Sequence, residues 1–189
     1  TCGPKVKEFE KSICDYTGAK YAVAVNSATS ALHIAMMALE IGVTAPLPLT
    51  EEGGDKRLTT APLAPCGRGV RGEGSNNDEV ITTPITFLAS ANCARFCGAD
   101  VRFADIEKDT ANIDPEEIKK HITSKTKAIV PVHFAGQSCD MERISKIAKE
   151  HNLYVVEDAC QSINSQYTFS DGRTIQSGCM GDAGCTSFF

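Results

Sequence analysis

The sequence has no apolar segment approaching the ~20 residues that a bilayer-spanning helix needs, and its amino terminus lacks the basic-then-apolar order of a signal peptide. A cytoplasmic protein is therefore expected. A basic excess is lacking as well. The 19 Lys and Arg against 24 Asp and Glu leave a formal charge of -5, which offers no footprint for nucleic acid or an anionic membrane. Cysteine is plentiful, but the nine residues are an odd number and contain no C-x-x-C pair, so neither a disulfide framework nor a zinc site is indicated. Cys93 and Cys97 stand one helical turn apart without a second ligand pair nearby. The thiols read as small, reduced core residues, and no metal is expected. His33, His121 and His151 on helices, and His133 after a strand, read as structural or exposed.

The most deficient stretch is 43–77, which has no aromatic residue yet holds four of the eight prolines and six of the fifteen glycines. With so little apolar surface to offset the entropy of ordering, it reads as a disordered insertion. Within it, Gly67-Arg68-Gly69-Val70-Arg71-Gly72 spells a dinucleotide-binding G-x-G-x-x-G. That motif needs a strand before it and a helix after it, whereas Pro62 and Pro65 precede and Gly74-Ser75-Asn76-Asn77 follow. The match is read as chance.

Around this gap the chain alternates strands and helices. Pro4 to Tyr16 carries apolar residues at Val6, Phe9, Ile13 and Tyr16, a helical stripe that Gly18 stops. Tyr21–Val25 reads as a short strand, and Leu32, Ala35, Met36 and Leu39 as the apolar face of the next helix. Strands follow over 79–82, 100–105 and 128–133. Helices are expected over 86–97, from Asp114-Pro115 to His121, and after Asp140. Asn164–Ser177 reads as polar and irregular, and 181–189 as the approach to another strand. The alternation predicts an α/β protein with a three-layer αβα arrangement and a mostly parallel sheet, occupying 1–42 and 78–189. At 189 residues, one domain is the default.

The stretch with the most chemistry is Leu153-Tyr154-Val155-Val156-Glu157-Asp158, an apolar run that ends in two acids. Open α/β sheets bind ligands at the carboxyl ends of their strands. Neighbouring strand residues point to opposite faces, so only one of Glu157 and Asp158 can readily face a pocket. Asn26-Ser27-Ala28-Thr29-Ser30, between a strand and a helix, offers free N–H groups and hydroxyls that suit a phosphate, although an ordinary N-cap explains it equally well. Phe87 near a strand end could stack on a flat ligand or simply pack in the core. Phosphate cradle, aromatic plate and strand-end acid together match the needs of pyridoxal 5'-phosphate.

These motifs resemble those of the DegT/DnrJ/EryC1/StrS sugar aminotransferases. The resemblance runs through Gly3–Glu10, Tyr16–Ala22, Asn26–Leu32, Thr82–Ala89, Pro131–Gln137, Glu157–Gln161, Gly181–Ala183 and Ser187-Phe188, nearly everything outside 43–77. With Asn112-Ile113-Asp114 it looks closest to members that aminate a UDP-linked 4-keto-6-deoxy sugar on the way to pseudaminic acid. It implies the large domain of fold type I and pyridoxal phosphate as cofactor. Ala28, Thr29 and Ser187 would hold the phosphate, Phe87 would stack on the ring, Asp158 would pair with its nitrogen, Ala159 would let the ring lie close, and Gln161 would sit by the ring hydroxyl. It further implies a nucleotide-sugar substrate, glutamate as amino donor and a homodimer. The Schiff-base lysine is expected just beyond Phe189, so the chain reads as an amino-terminal fragment, inactive alone and without the small domain. The alternatives are a sugar dehydratase of the same family and a non-catalytic α/β nucleotide-binding module.

Overall fold

Residues 3–42 and 78–188 are described by the computed structural model. The proposed insertion at 43–77, its glycine motif and Phe189 lie outside them. Where aliphatic and β-branched residues run together the chain forms strands: β1 (Glu79–Thr82), β2 (Asp100–Phe103), β3 (Thr126–Val130) and β4 (Tyr154–Asp158). Each of these strands but β4 is followed by a crossover helix, the usual connection between parallel strands. A hairpin, β5 (Gln166–Thr168) and β6 (Thr174–Gln176), then leads to β7 (Ala183–Cys185). The main sheet has five strands in the order β2-β1-β3-β4-β7, every pair parallel. The expected sheet is present.

The helices are α1 (Pro4–Thr17), α2 (Ala28–Ala38), α3 (Ala89–Phe96), α4 (Pro115–His121) and α5 (Met141–His151), and side-chain caps set the starts of α2, α4 and α5. Ser27 accepts from Ser30 N, Asp114 from Glu116 N with Pro115 next, and Asp140 from Arg143 N. Two apolar cores separate the layers. Leu32 and Met36 of α2 and Cys93 and Ala94 of α3 pack with Val80, Ala128, Val130 and Val156 on one face. Ile118 of α4 and Ile144 and Ile147 of α5 cover Ile81, Ile129 and Val155 on the other.

The directions of α2 and α3 decide where a site can form. After α2, Gly42 donates its N–H to Asp78, just before β1, and packs so tightly on Cys97 and Ala99, just before β2, that a Cβ there would lie 2.6 Å from the Cys97 carbonyl oxygen. The carboxyl end of α2 therefore sits at the amino edge of the sheet, and its amino end points to the carboxyl edge. Helix α3, leaving the carboxyl end of β1, starts at that same edge. The chain runs from β1 to β2 on one side and returns to β3 on the other, so the sheet's switch point lies between the carboxyl ends of β1 and β3.

Three sequence expectations change. Tyr21–Val25 is not a strand: Tyr21 and Val23 are 77% and 78% exposed, and Ala24 N–H bonds to the Glu10 carboxylate instead of a neighbouring strand. Alternating apolar residues make a strand only where a partner strand pairs with them, and none does among the described residues. Asn164–Ser177 contains the β5–β6 hairpin rather than irregular chain alone. Helix α3 starts at Ala89, leaving Phe87 on the preceding loop and not in the first turn. In addition, α1 forms as expected but packs lightly. It buries none of its residues; Phe9 meets Phe188 edge-on at 5.4 Å, and the Tyr16 hydroxyl reaches Asn164.

Candidate functional site

The two acids ending β4 part as alternation requires. Glu157 shares the face of Val155 and is fully buried. Its carboxylate accepts from four donors: His133 Nε2, Gly178 N, Met180 N and Gly181 N. Because Cys139 N donates to His133 Nδ1, that nitrogen is unprotonated. The imidazole is therefore neutral and donates its Nε2–H to Glu157. All the donors Glu157 accepts from belong to the fold, so it acts as an anchor for the 178–181 loop.

Asp158 shares the opposite face with Val156, toward α2 and α3. It is 5% exposed, with Oδ2 accepting from the Ser90 hydroxyl at 2.6 Å and Oδ1 from Cys160 N at 3.2 Å. Its backbone bridges to the 131–133 segment through Pro131 O and His133 N. Strand alternation left open which acid faces a pocket and the family resemblance named Asp158; the geometry sets the Asp158 carboxylate on the α2–α3 face, while Glu157 is taken up by the fold on the other.

Three thiols lie within electrostatic reach of that carboxylate. Burial, with the charge of Asp158 adding, pushes Cys93 and Cys185 up to about 12 and raises Cys160 as well. At pH 8 a thiol with a pKa of about 12 is ionised only about once in ten thousand. Iodoacetamide treatment of the native protein at pH 8 is thus expected to spare Cys93 and Cys185, with mass spectrometry showing both modified only after unfolding. Rapid native labelling of either would contradict this environment.

The remaining predicted residues fall along the same carboxyl edge. Ala28 and Thr29 are the first two residues of α2, where backbone N–H groups have no intrahelical acceptor. Ser187 follows β7 by two residues, and β7 joins the core under α2 through Cys185 and Ala183. Ala159 is fully buried, its N–H bonded to the Cys185 carbonyl. Phe87 is 72% exposed, three residues ahead of Ser90. Gln161 is exposed and its Oε1 accepts from Ala135 N at 2.8 Å, which turns its side chain toward the loop after β3. Asn112 secures that loop from below, donating to Gln137 O and Ser138 O and accepting from Phe134 N.

Sequence reasoning missed Ser90 and the bracing role of Asn112, and it read His133 as structural or exposed without finding its partner Glu157. Ser90 had a local signal, since Thr86 and Ser90 are hydroxyls four residues apart at a helix start. His133 had none, because its partner lies 24 residues away.

A buried carboxylate at a parallel strand's carboxyl end, on the face and edge shared by two helix amino termini, is the layout of a ligand-binding site in an open α/β sheet. The chain belongs to the DegT/DnrJ/EryC1/StrS aminotransferase family, which residues 1–49 and 69–189 match. It is 41% identical over 187 residues to the spore coat polysaccharide biosynthesis protein SpsC of Bacillus subtilis, covering 99% of this chain and 38% of that protein. It is 36% identical to GDP-perosamine synthase of Caulobacter vibrioides, covering 99% and 40%. Among solved structures, the aminotransferase from Psychrobacter cryohalolentis aligns with a TM-score of 0.77 at 34% identity, over 98% of this chain and 38% of that one. Helicobacter pylori PseC, an aminotransferase of pseudoaminic acid biosynthesis, aligns at 0.71 and 30%, over 100% and 41%. The ntda structure from Bacillus subtilis with bound cofactor PMP aligns at 0.67 and 32%, over 86% and 30%. The chain thus spans about two fifths of the curated relatives it matches. The sheet is that of fold type I, and the family is pyridoxal-phosphate-dependent.

Proposed function

We propose that the full-length protein transfers an amino group, with glutamate as donor, to the ketone of a nucleotide-linked sugar, a UDP-4-keto-6-deoxy sugar being the best candidate. The observation that carries this reading is Asp158: a nearly buried carboxylate pinned at both oxygens on the face and edge where α2 begins. The sugar class is supported by the names of the relatives, which include a GDP-perosamine synthase and an enzyme of pseudoaminic acid biosynthesis. Those names favour amination over the dehydratase alternative. The glycine-rich segment that motivated a nucleotide-binding module lies outside the described residues.

The residues present fit pyridoxal phosphate. Unsatisfied N–H groups at Ala28 and Thr29, with the Thr29 and Ser187 hydroxyls, would hold the phosphate dianion, which the helix dipole also favours. Phe87 keeps its ring exposed for stacking. Ala159 contributes only a methyl group beside the carboxylate. When bound, the cofactor supplies a carbonyl carbon that carries the amino group and a ring that accepts electrons. Asp158 would hold the proton on the pyridine nitrogen by a charge-assisted hydrogen bond, keeping the ring electron-poor. Gln161, already tied to Ala135, would fix the ring hydroxyl. The lysine that attaches the cofactor is proposed to follow Phe189 in the full-length protein, which would work as a cytoplasmic homodimer.

The test is isotopic. Full-length protein given pyridoxal phosphate and [15N]glutamate is expected to move the label into a UDP-4-keto-6-deoxy-N-acetylhexosamine, and borohydride is expected to trap the cofactor on a lysine beyond residue 189. Absence of both label transfer and a trapped adduct would defeat the proposal.

A further inference from the structure

Asp158 does not stand alone. Ser90, second residue of α3 and fully buried, sets its Oγ 2.6 Å from Oδ2 of Asp158 and 2.8 Å from Oγ1 of Thr86. A carboxylate can only accept, so the Ser90 proton goes to Asp158, the charged acceptor winning over the Phe87 carbonyl at 3.2 Å. Ser90 is then left to accept, and Thr86 must donate to it. Proton directions along Thr86, Ser90 and Asp158 are thereby fixed in one sense.

From this geometry we infer that Ser90 is a positioning residue for the cofactor's ring nitrogen, acting through Asp158 and itself oriented by Thr86. The inference rests on the proposed cofactor role of Asp158. The terminal torsion of an aspartate is soft, with broad wells. The Cys160 N–H at 3.2 Å is a long restraint and the Cys160 thiol beside it a weak donor, so the short bond from Ser90 is the strongest hold on the carboxylate plane. Because Ser90 lies in the first turn of α3 just after Phe87, the same segment that carries the exposed aromatic ring also sets the acid. The plate and the nitrogen partner are thus placed by one stretch of backbone. A mere space-filling serine needs neither the short contact nor the second hydroxyl behind it.

The experiment compares two probes on the full-length protein: pyridoxal phosphate, and its 1-deaza analogue, in which carbon replaces the ring nitrogen. Ser90→Ala is expected to weaken pyridoxal phosphate binding about tenfold (~1.4 kcal/mol) while leaving affinity for the analogue within about twofold. Thr86→Val should show a smaller loss with the same selectivity, and Ser90→Cys, a poorer donor of similar size, an intermediate one. Should Ser90→Ala not fold, those two variants carry the comparison. Equal losses on both probes, or none on either, would overturn the assignment and return Ser90 to packing. Asp158→Asn separates this from the underlying reading. If it abolishes discrimination between the probes while the Ser90 and Thr86 variants leave discrimination unchanged, only the positioning role fails. If Asp158→Asn leaves discrimination intact, the cofactor role of Asp158 fails with it.

Discussion

Asp158→Asn is expected to lower the transamination rate of the full-length protein by about two to three orders of magnitude, the scale seen when one preorganised electrostatic contact is lost from an active site. The substitution keeps nearly the same shape. The retained oxygen can still accept from Cys160 N, and the new amide can bond to Ser90, so the two contacts that orient the side chain survive in altered form. The negative charge does not survive, and without it a protonated ring nitrogen loses its partner. A charge-assisted hydrogen bond contributes about 1.5–3 kcal/mol, so cofactor affinity should fall on the order of tenfold to a hundredfold. Absorbance titration with pyridoxal phosphate and steady-state rates on the same preparations check both. Coenzyme titration spectra and rates matching those of the native protein would remove Asp158 from the site, and with it the account of the chemistry.

Part of this candidate site was legible in the sequence: local pattern marked a strand end and a helix start, and the family resemblance supplied the proposed roles of the residues there. An apolar run closed by acids reads as a strand end, and Asn26–Ser30 before an apolar stripe reads as a helix start. The sheet followed from the same regularity. What local pattern could not settle was choice and pairing, although the family resemblance named Asp158. Glu157 and Asp158 differ only in which face they take, and the face is fixed by partners on distant segments: Ser90, 68 residues back, and the 178–181 loop. Tyr21–Val25 has the alternation of a strand but lacks a neighbour to pair with. The β5–β6 hairpin carried its signal at Asp171-Gly172, where Gly172 takes φ of +84° and closes the turn, but the polar flanks hid it.

The other acid should behave in the opposite way. Glu157→Gln is expected to cost about 2–4 kcal/mol of stability, one or two buried N–H groups losing their acceptor at about 1–3 kcal/mol each. The reason lies in donor arithmetic. Four N–H groups converge on the carboxylate, and an amide offers one acceptor oxygen while adding N–H donors of its own, so at least one of His133, Gly178, Met180 and Gly181 is left facing another donor. The strain falls on the turn that feeds β7, where space is already exhausted: a Cβ on Gly184 would lie 2.0 Å from the Gly178 carbonyl oxygen. In the full-length protein, this loss should lower the melting temperature by several degrees. Urea unfolding of the ligand-free full-length protein measures it, and a midpoint indistinguishable from wild type would show that the cluster does not hold the loop. Paired with Asp158→Asn, which should alter cofactor binding with little change in melting, the result would divide two adjacent carboxylates into one that builds the strand edge and one that uses it.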